Sequence, residues 1–201
     1  MNRVTGYLLA TAGMLLLAAC SVSPPPPSAD TQPPKMSPSD RGKYLVTAMG
    51  CNDCHTPLKM GPAGPEPDMT RMLSGHPEGE KLGPAPKVSG GWGWVGAASN
   101  TAFAGPWGVS YTANLTPDQN TGLAVWTEDM FVTAMREGKH MGKSRPILPP
   151  MPWPAFKNLS DEDLKAIYAY LKTIPPITNH VPDPVIAAEP PKAPIPGAAR
   201  D

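Results

Sequence analysis

Cys51-Asn52-Asp53-Cys54-His55 stands where the chain's first helical pattern ends. Cys-x-x-Cys-His is the attachment signature of c-type haem. Chemistry explains the spacing. Two thiols three residues apart share one helical turn, so each can bond a vinyl group of the same porphyrin. The histidine next in line then falls beneath the iron as its proximal ligand. Other chemistries suit the stretch less well. A thioredoxin-like Cys-x-x-Cys opens a helix after a strand, whereas this one closes a helix. A structural zinc site wants a second ligand pair, and the one remaining cysteine is Cys20. A disulfide between Cys51 and Cys54 would leave His55 without a role. The motif assigns one covalent haem c, with Cys51 and Cys54 as its attachment points and His55 on the iron.

Working outward, three helices can be placed. The first is capped by Ser37, carries Pro38 at its opening position and runs to about Met49, where Gly50 ends it. The second opens at Thr127 with Glu128 and Asp129 in its first turn and stops at Gly138. The third is capped by Ser160, and Leu164, Ile167, Tyr168 and Leu171 recur at i, i+3, i+4 and i+7 before Pro175 blocks continuation. The Gly- and Pro-rich excursion between the first two has no strong period and reads as loop, with short strands around Val109 to Ala113. The fold expected is all-α, three main helices around one haem with long loops.

The 201 residues carry 17 Lys plus Arg against 17 Asp plus Glu, so the formal charge is zero and a general nucleic-acid binder is excluded. Of 29 prolines, six fall in residues 21–36 and eight in 175–201. Both ends are therefore extended, and the middle carries the core. Proline spacing also excludes a long parallel sheet or a coiled coil. Met1 to Arg3 followed by apolar or small residues to Ala19 suits a signal peptide, too short for a comfortable span of ~20 residues. Its end, Leu17-Ala18-Ala19-Cys20, resembles a bacterial lipoprotein signal, which implies cleavage before Cys20 and acylation of it. The divisions expected are a signal peptide at 1–19, lipidated Cys20 with a Pro-rich linker over 20–36, a haem domain at 37–176 and a Pro-rich tail at 177–201. The resemblance implies anchoring to a bacterial membrane facing the periplasm, with Ser21 after Cys20 leaning towards the outer membrane over the inner.

Three blocks carry a wider likeness. They are Arg41 to Leu45 leading into Cys51 to Thr56; Gly105 to Gly108 with Asn114 to Asp118 and Trp126-Thr127; and Pro150 to Trp153 with Leu159 to Leu164 and Tyr168 to Leu171. Over residues 37–176 the chain resembles a class I c-type cytochrome, and is similar to the cytochrome c domains that accompany bacterial membrane-associated dehydrogenases. That resemblance implies a crossing of the first and last helices beside the haem, with Gly42 against Tyr168 or Tyr170. It departs from compact members in having one attachment motif and a long excursion between His55 and Met151.

A six-coordinate iron needs a second axial ligand. Met151 lies in Leu148-Pro149-Pro150-Met151-Pro152-Trp153-Pro154, just before the last helix, where the family keeps its methionine. The surrounding prolines fix φ and present the thioether from a stiff loop. Met135 and Met49 fall on apolar helical faces and read as core. Met141 and His140 are the alternative ligands, while His76 and His180 read as surface residues. Trp107, Trp126 and Trp153 are expected to wall the haem pocket. The basic stretch Arg136, Lys139, Lys143 and Arg145 could steer an acidic partner, meet haem propionates or be a solvated face.

Gly91 to Gly96 matches G-x-G-x-x-G but no helix pattern follows, so dinucleotide binding is rejected. Asp118 to Gly122 begins like a calcium loop yet puts glycine at the fifth position, and reads as a turn. The function expected is single-electron transfer between a periplasmic or membrane dehydrogenase and an oxidase or other acceptor, with His/Met axial ligation and no enzymatic turnover. The alternatives are a haem enzyme with a vacant or labile sixth position and a haem-containing sensor or assembly subunit.

Overall fold

The computed structural model describes residues 36–89 and 91–187. The expected signal peptide, Cys20, all of the expected 20–36 linker except Met36, and the tail beyond 187 lie outside the described residues.

Helix α1 (Pro38–Ala48) begins as its sequence dictates: the Ser37 hydroxyl accepts from the Asp40 N–H at 3.1 Å, and Pro38 occupies a position whose N–H would have no helical partner. Gly50, at φ +69°, then turns the chain. The Cys-x-x-Cys-His stretch thus forms its own single-turn helix α2 (Cys51–His55) instead of closing α1. Helix α3 (Glu128–Glu137) is capped by Thr127 and closed by Gly138 at φ +64°. Helix α5 (Asp161–Leu171) is capped by Ser160, with Asp161, Glu162 and Asp163 in the first turn complementing the helix dipole.

Helices α1 and α5 cross at Gly42. A Cβ there would overlap the Ala166 carbonyl oxygen and stand 2.8 Å from the Tyr170 Cβ, so only glycine permits this approach. Leu45 and Val46 from α1, Phe131 from α3, and Ile167 and Leu171 from α5 meet in one apolar core with Leu73, Leu123 and Ile174.

The all-α expectation is corrected. Among the described residues, five α-helices are joined by two antiparallel sheets of six strands, so the fold is mixed α/β. Strands β1 (Leu58–Gly61) and β2 (Gly64–Pro67) form a hairpin with Leu58 opposite Pro67 and Gly61 opposite Gly64. The second sheet has the order β3 (Val95–Gly96), β4 (Ala102–Gly105), β5 (Gly108–Tyr111), β6 (Val185–Ile186). Strands of two to four residues are too short for alternation to register as a period. In β4, Ala102, Phe103 and Ala104 are all buried, so the strand has no polar face to alternate with. The prolines of β2 are tolerated because a two-stranded ribbon has only edges.

The chain after α5 is fastened to the domain. The Ile177 carbonyl accepts from Asn114 Nδ2 at 2.8 Å, Asn179 is buried, and Val185 and Ile186 extend the sheet beside β5. A one-turn helix α4 (Trp153–Phe156) follows Pro152 directly, with Pro154 in its first turn, where an N–H is not needed. Among the described residues, no helix is long and apolar enough to cross a membrane.

Candidate cofactor-binding site

Helix α2 presents Cys51 and Cys54 from one turn, both half-buried and both free thiols. Burial pushes the Cys51 thiol up to about 11, with the Asp53 carboxylate adding to the rise, and the same two causes raise Cys54. Both are therefore neutral thiols at pH 7. Among the described residues, no group of three or more His, Cys, Asp or Glu side chains is gathered to hold a metal ion.

His55 is buried, and its Nδ1 lies 2.8 Å from the carbonyl oxygen of Ala113. A carbonyl only accepts, so Nδ1 carries the proton and Nε2 keeps its lone pair. Burial pushes the imidazole below the ordinary histidine range, outweighing the Ala113 carbonyl, and holds it neutral. This is the state a metal-ligating histidine requires, with its outer nitrogen held by a backbone acceptor. The exit from α2 is fixed as well. Thr56 Oγ1 donates to Asn52 Oδ1 at 2.8 Å and accepts from the Leu73 N–H at 2.9 Å.

Cys51, Cys54, His55 and Met151 all line one cavity of about 720 Å³. That volume lies within the 300–1,000 Å³ usual for cofactor and ligand sites. Its apolar wall comes from α3 and α5, with Phe131, Leu164, Ile167 and Leu171. The donor set and the room therefore fit a haem c. Met151 is half-buried, and its loop is tied down where Ser110 Oγ donates to the Pro149 carbonyl at 2.6 Å. The Ile147 N–H also donates to the Gly138 carbonyl at 2.8 Å, linking the loop to the end of α3.

Other expectations divide. Met49 and Met135 also line the cavity, as do His140 and His180, whereas Met141 does not. His140 sits edge-on to Trp126, ring centres 5.1 Å apart. Of the three tryptophans expected at the wall, only Trp126 lines it. Trp153 instead packs over Gly138, and Trp107 lies against Gly105. His76, expected at the surface, is 1% exposed; its Nδ1 is 2.9 Å from Thr101 Oγ1 and its ring packs on Tyr111. A histidine followed by proline in a Gly-rich stretch carries no local signal for such burial. In the basic stretch, Arg136 pairs with Asp161, while Arg145 lines the cavity from an exposed position. The Asp118 carboxylate is used internally, accepting from Thr121, Thr178 and the Asn120 N–H, which holds it down at about 2. Gly96 ends the two-residue strand β3, and no helix follows.

No protein-family profile matches the chain. Over 164 residues it is 30% identical to the fructose dehydrogenase cytochrome subunit of Gluconobacter japonicus, covering 80% of this chain and 26% of that protein. Over 131 residues it is 32% identical to the gluconate 2-dehydrogenase cytochrome c subunit of Pantoea cypripedii, covering 65% and 22%. The chain is homologous to bacterial dehydrogenase cytochrome c subunits. A third relative, the cytochrome c subunit of the quinone-type alcohol dehydrogenase of Gluconobacter oxydans, is 34% identical over 146 residues, covering 71% of this chain and 23% of that protein. The aligned stretch thus spans about a quarter of the length of these relatives.

Proposed function

We propose that this chain is a single-electron carrier holding one haem c, covalently through Cys51 and Cys54, with His55 and Met151 as axial ligands. The observation that carries the reading is the His55 Nδ1 bond to Ala113, made inside the cavity that also gathers both thiols and Met151. Bound there, haem c supplies reversible one-electron chemistry between Fe(II) and Fe(III). The protein's part is to hold and to shield. The two neutral thiols stand on one turn of α2, which suits addition to the two vinyl groups of one porphyrin. His55 enters as a neutral imidazole with Nε2 free to bind iron. Leu164, Ile167, Leu171 and Phe131 exclude water. The Met151 thioether favours the reduced metal and gives a higher potential than a second histidine would.

The electron donor is a dehydrogenase, in keeping with the names of the relatives. We place it in the periplasm or the membrane, with an oxidase or another oxidised partner as acceptor. Acylated Cys20 would fasten the 37–176 domain to the cell envelope, with the Pro-rich linker as spacer.

Axial ligation is the point to test. The ferric wild type should show the weak near-infrared charge-transfer band of methionine-ligated haem. Met151→Ala should abolish it and let carbon monoxide bind the ferrous protein readily, whereas His140→Ala and Met141→Ala should leave the band intact. A wild type that lacks the band and binds carbon monoxide freely would sink the carrier reading in favour of a haem enzyme.

A further inference from the structure

The bond from His55 to Ala113 is only as firm as the Ala113 carbonyl itself. The turn Leu73–His76 lies along the Thr112–Leu115 backbone. The His76 N–H donates to the Thr112 carbonyl at 3.0 Å and the Leu115 N–H donates to the Leu73 carbonyl at 2.9 Å, so Ala113 lies between the two tethers. The Gly75 N–H donates to the carbonyl of His55 at 2.8 Å. Gly75 has φ +78°, and a Cβ on it would overlap the Thr112 carbonyl oxygen and stand 2.7 Å from that of Ala113. Only glycine lets the turn come so close. The turn thus grips both the main chain of His55 and the backbone that receives its Nδ1 proton.

What holds the turn is Asn179, supplied by the segment after α5 and only 2% exposed. Its Nδ2 donates to the carbonyls of Ser74 and His76, on either side of Gly75, at 2.7 and 2.8 Å. Its Oδ1 accepts from the Arg71 guanidinium and from the Glu78 N–H, each at 2.9 Å. Both donors and both acceptor positions of the carboxamide are used, a set that neither aspartate nor a hydroxyl residue offers. Its own N–H donates to Thr121 Oγ1 at 3.0 Å.

We propose that Asn179 is a positioning residue for His55, setting the strength of the His55–Ala113 hydrogen bond through the Ser74–His76 turn. The inference rests on His55 being an iron ligand. A firm acceptor on the outer ring nitrogen raises the basicity of a ligating histidine. A looser Ala113 carbonyl lowers it, which disfavours the oxidised metal and raises the potential.

The test uses the holoprotein with Asn179→Ala, Asn179→Asp and Ile174→Ala. Aspartate keeps the shape and the acceptors for Arg71 and Glu78 but has no N–H for Ser74 and His76. Ile174 is buried in the core outside the cavity wall and reports a general loss of stability. The readouts are the reduction potential and, by NMR of the reduced protein, solvent exchange of the His55 Nδ1 proton. Both Asn179 variants should keep covalent haem on a denaturing gel and exchange that proton several-fold faster than wild type, because its acceptor is less firmly held. They should also shift the equilibrium several-fold towards the reduced form, tenfold corresponding to ~59 mV for one electron. Ile174→Ala should move neither readout. If Asn179→Ala does not fold, Asn179→Asp decides. Unchanged exchange and potential in a folded Asn179 variant, or equal changes in Ile174→Ala, overturn the proposal while the carrier reading stands. A wild type without covalent haem overturns both, and the gel distinguishes that case.

Discussion

Gly42→Ala tests the helix crossing on which the core depends. The added Cβ would lie 2.6 Å from the carbonyl carbon of Ala166 and 2.8 Å from the Tyr170 Cβ, where ordinary contact begins at 3.4 Å. The Ala166 carbonyl oxygen is overlapped more deeply still, so helices α1 and α5 must part by more than about 0.8 Å over the contact that joins them. Overpacking costs about 1–3 kcal/mol, and the upper end applies because the obstacle is backbone that cannot rotate aside. Against this, α1 gains about 1 kcal/mol from replacing a mid-helix glycine with alanine. The net loss is about 2 kcal/mol, or a fall in Tm of roughly 4–8 °C for a domain of this size. Denaturant unfolding of the holoprotein followed by circular dichroism measures it. Gly79→Ala is the control, since nothing lies within 4 Å of its added Cβ; it should stay within about 0.5 kcal/mol of wild type. A neutral or stabilising Gly42→Ala would refute the close crossing.

Two further outcomes are expected. Ser160→Ala removes the hydroxyl that accepts from the Asp163 N–H at 3.1 Å and should cost about 1 kcal/mol, read as a lower denaturant midpoint with unchanged slope. Asp118 titrates well below an unfolded aspartate because Thr121 and Thr178 donate to its ionised form, so its contribution is present above about pH 4 and is lost as pH falls through about 2. Asp118→Asn should therefore lose less stability than wild type between pH 5 and pH 2.5, and an equal loss in both proteins would count against that role.

The legibility of this chain follows physical range. The caps at Ser37, Thr127 and Ser160 act within three residues, so each marks its helix in sequence and in space. The Cys-x-x-Cys-His motif is equally local, and one helical turn brings its two thiols together. The sheets rest on non-local pairing. Gly108 meets Ile186 across 78 residues, and neither short strand announces its partner. Helix α4 is hidden because prolines that forbid a helix interior are acceptable in its first turn. His76 escapes a sequence reading for a similar reason: its burial is imposed by Thr101, Tyr111 and Thr112, all contributed by distant strands and their flanks.

The same contrast explains why the long Gly- and Pro-rich excursion is part of the site and not an ornament on it. Cys51, Cys54 and His55 can be aligned by α2 alone, but one helical turn cannot fix the ring of its last residue. The acceptor for His55 Nδ1 is Ala113, 58 residues onward, just beyond β5. The same strand supplies Ser110, whose hydroxyl ties down the Pro149 carbonyl two residues before Met151. Strand β5 and its extension therefore reach both proposed axial ligands, holding the ring of one and the loop of the other. Its own position depends on β4 on one side and, from beyond α5, β6 on the other. A chain reduced to its helices would keep the apolar wall and the thiols of α2 yet lose the backbone that orients His55. Strand β5, expected from the stretch around Val109, and the unforeseen strands beside it are what give the histidine of the motif a fixed acceptor.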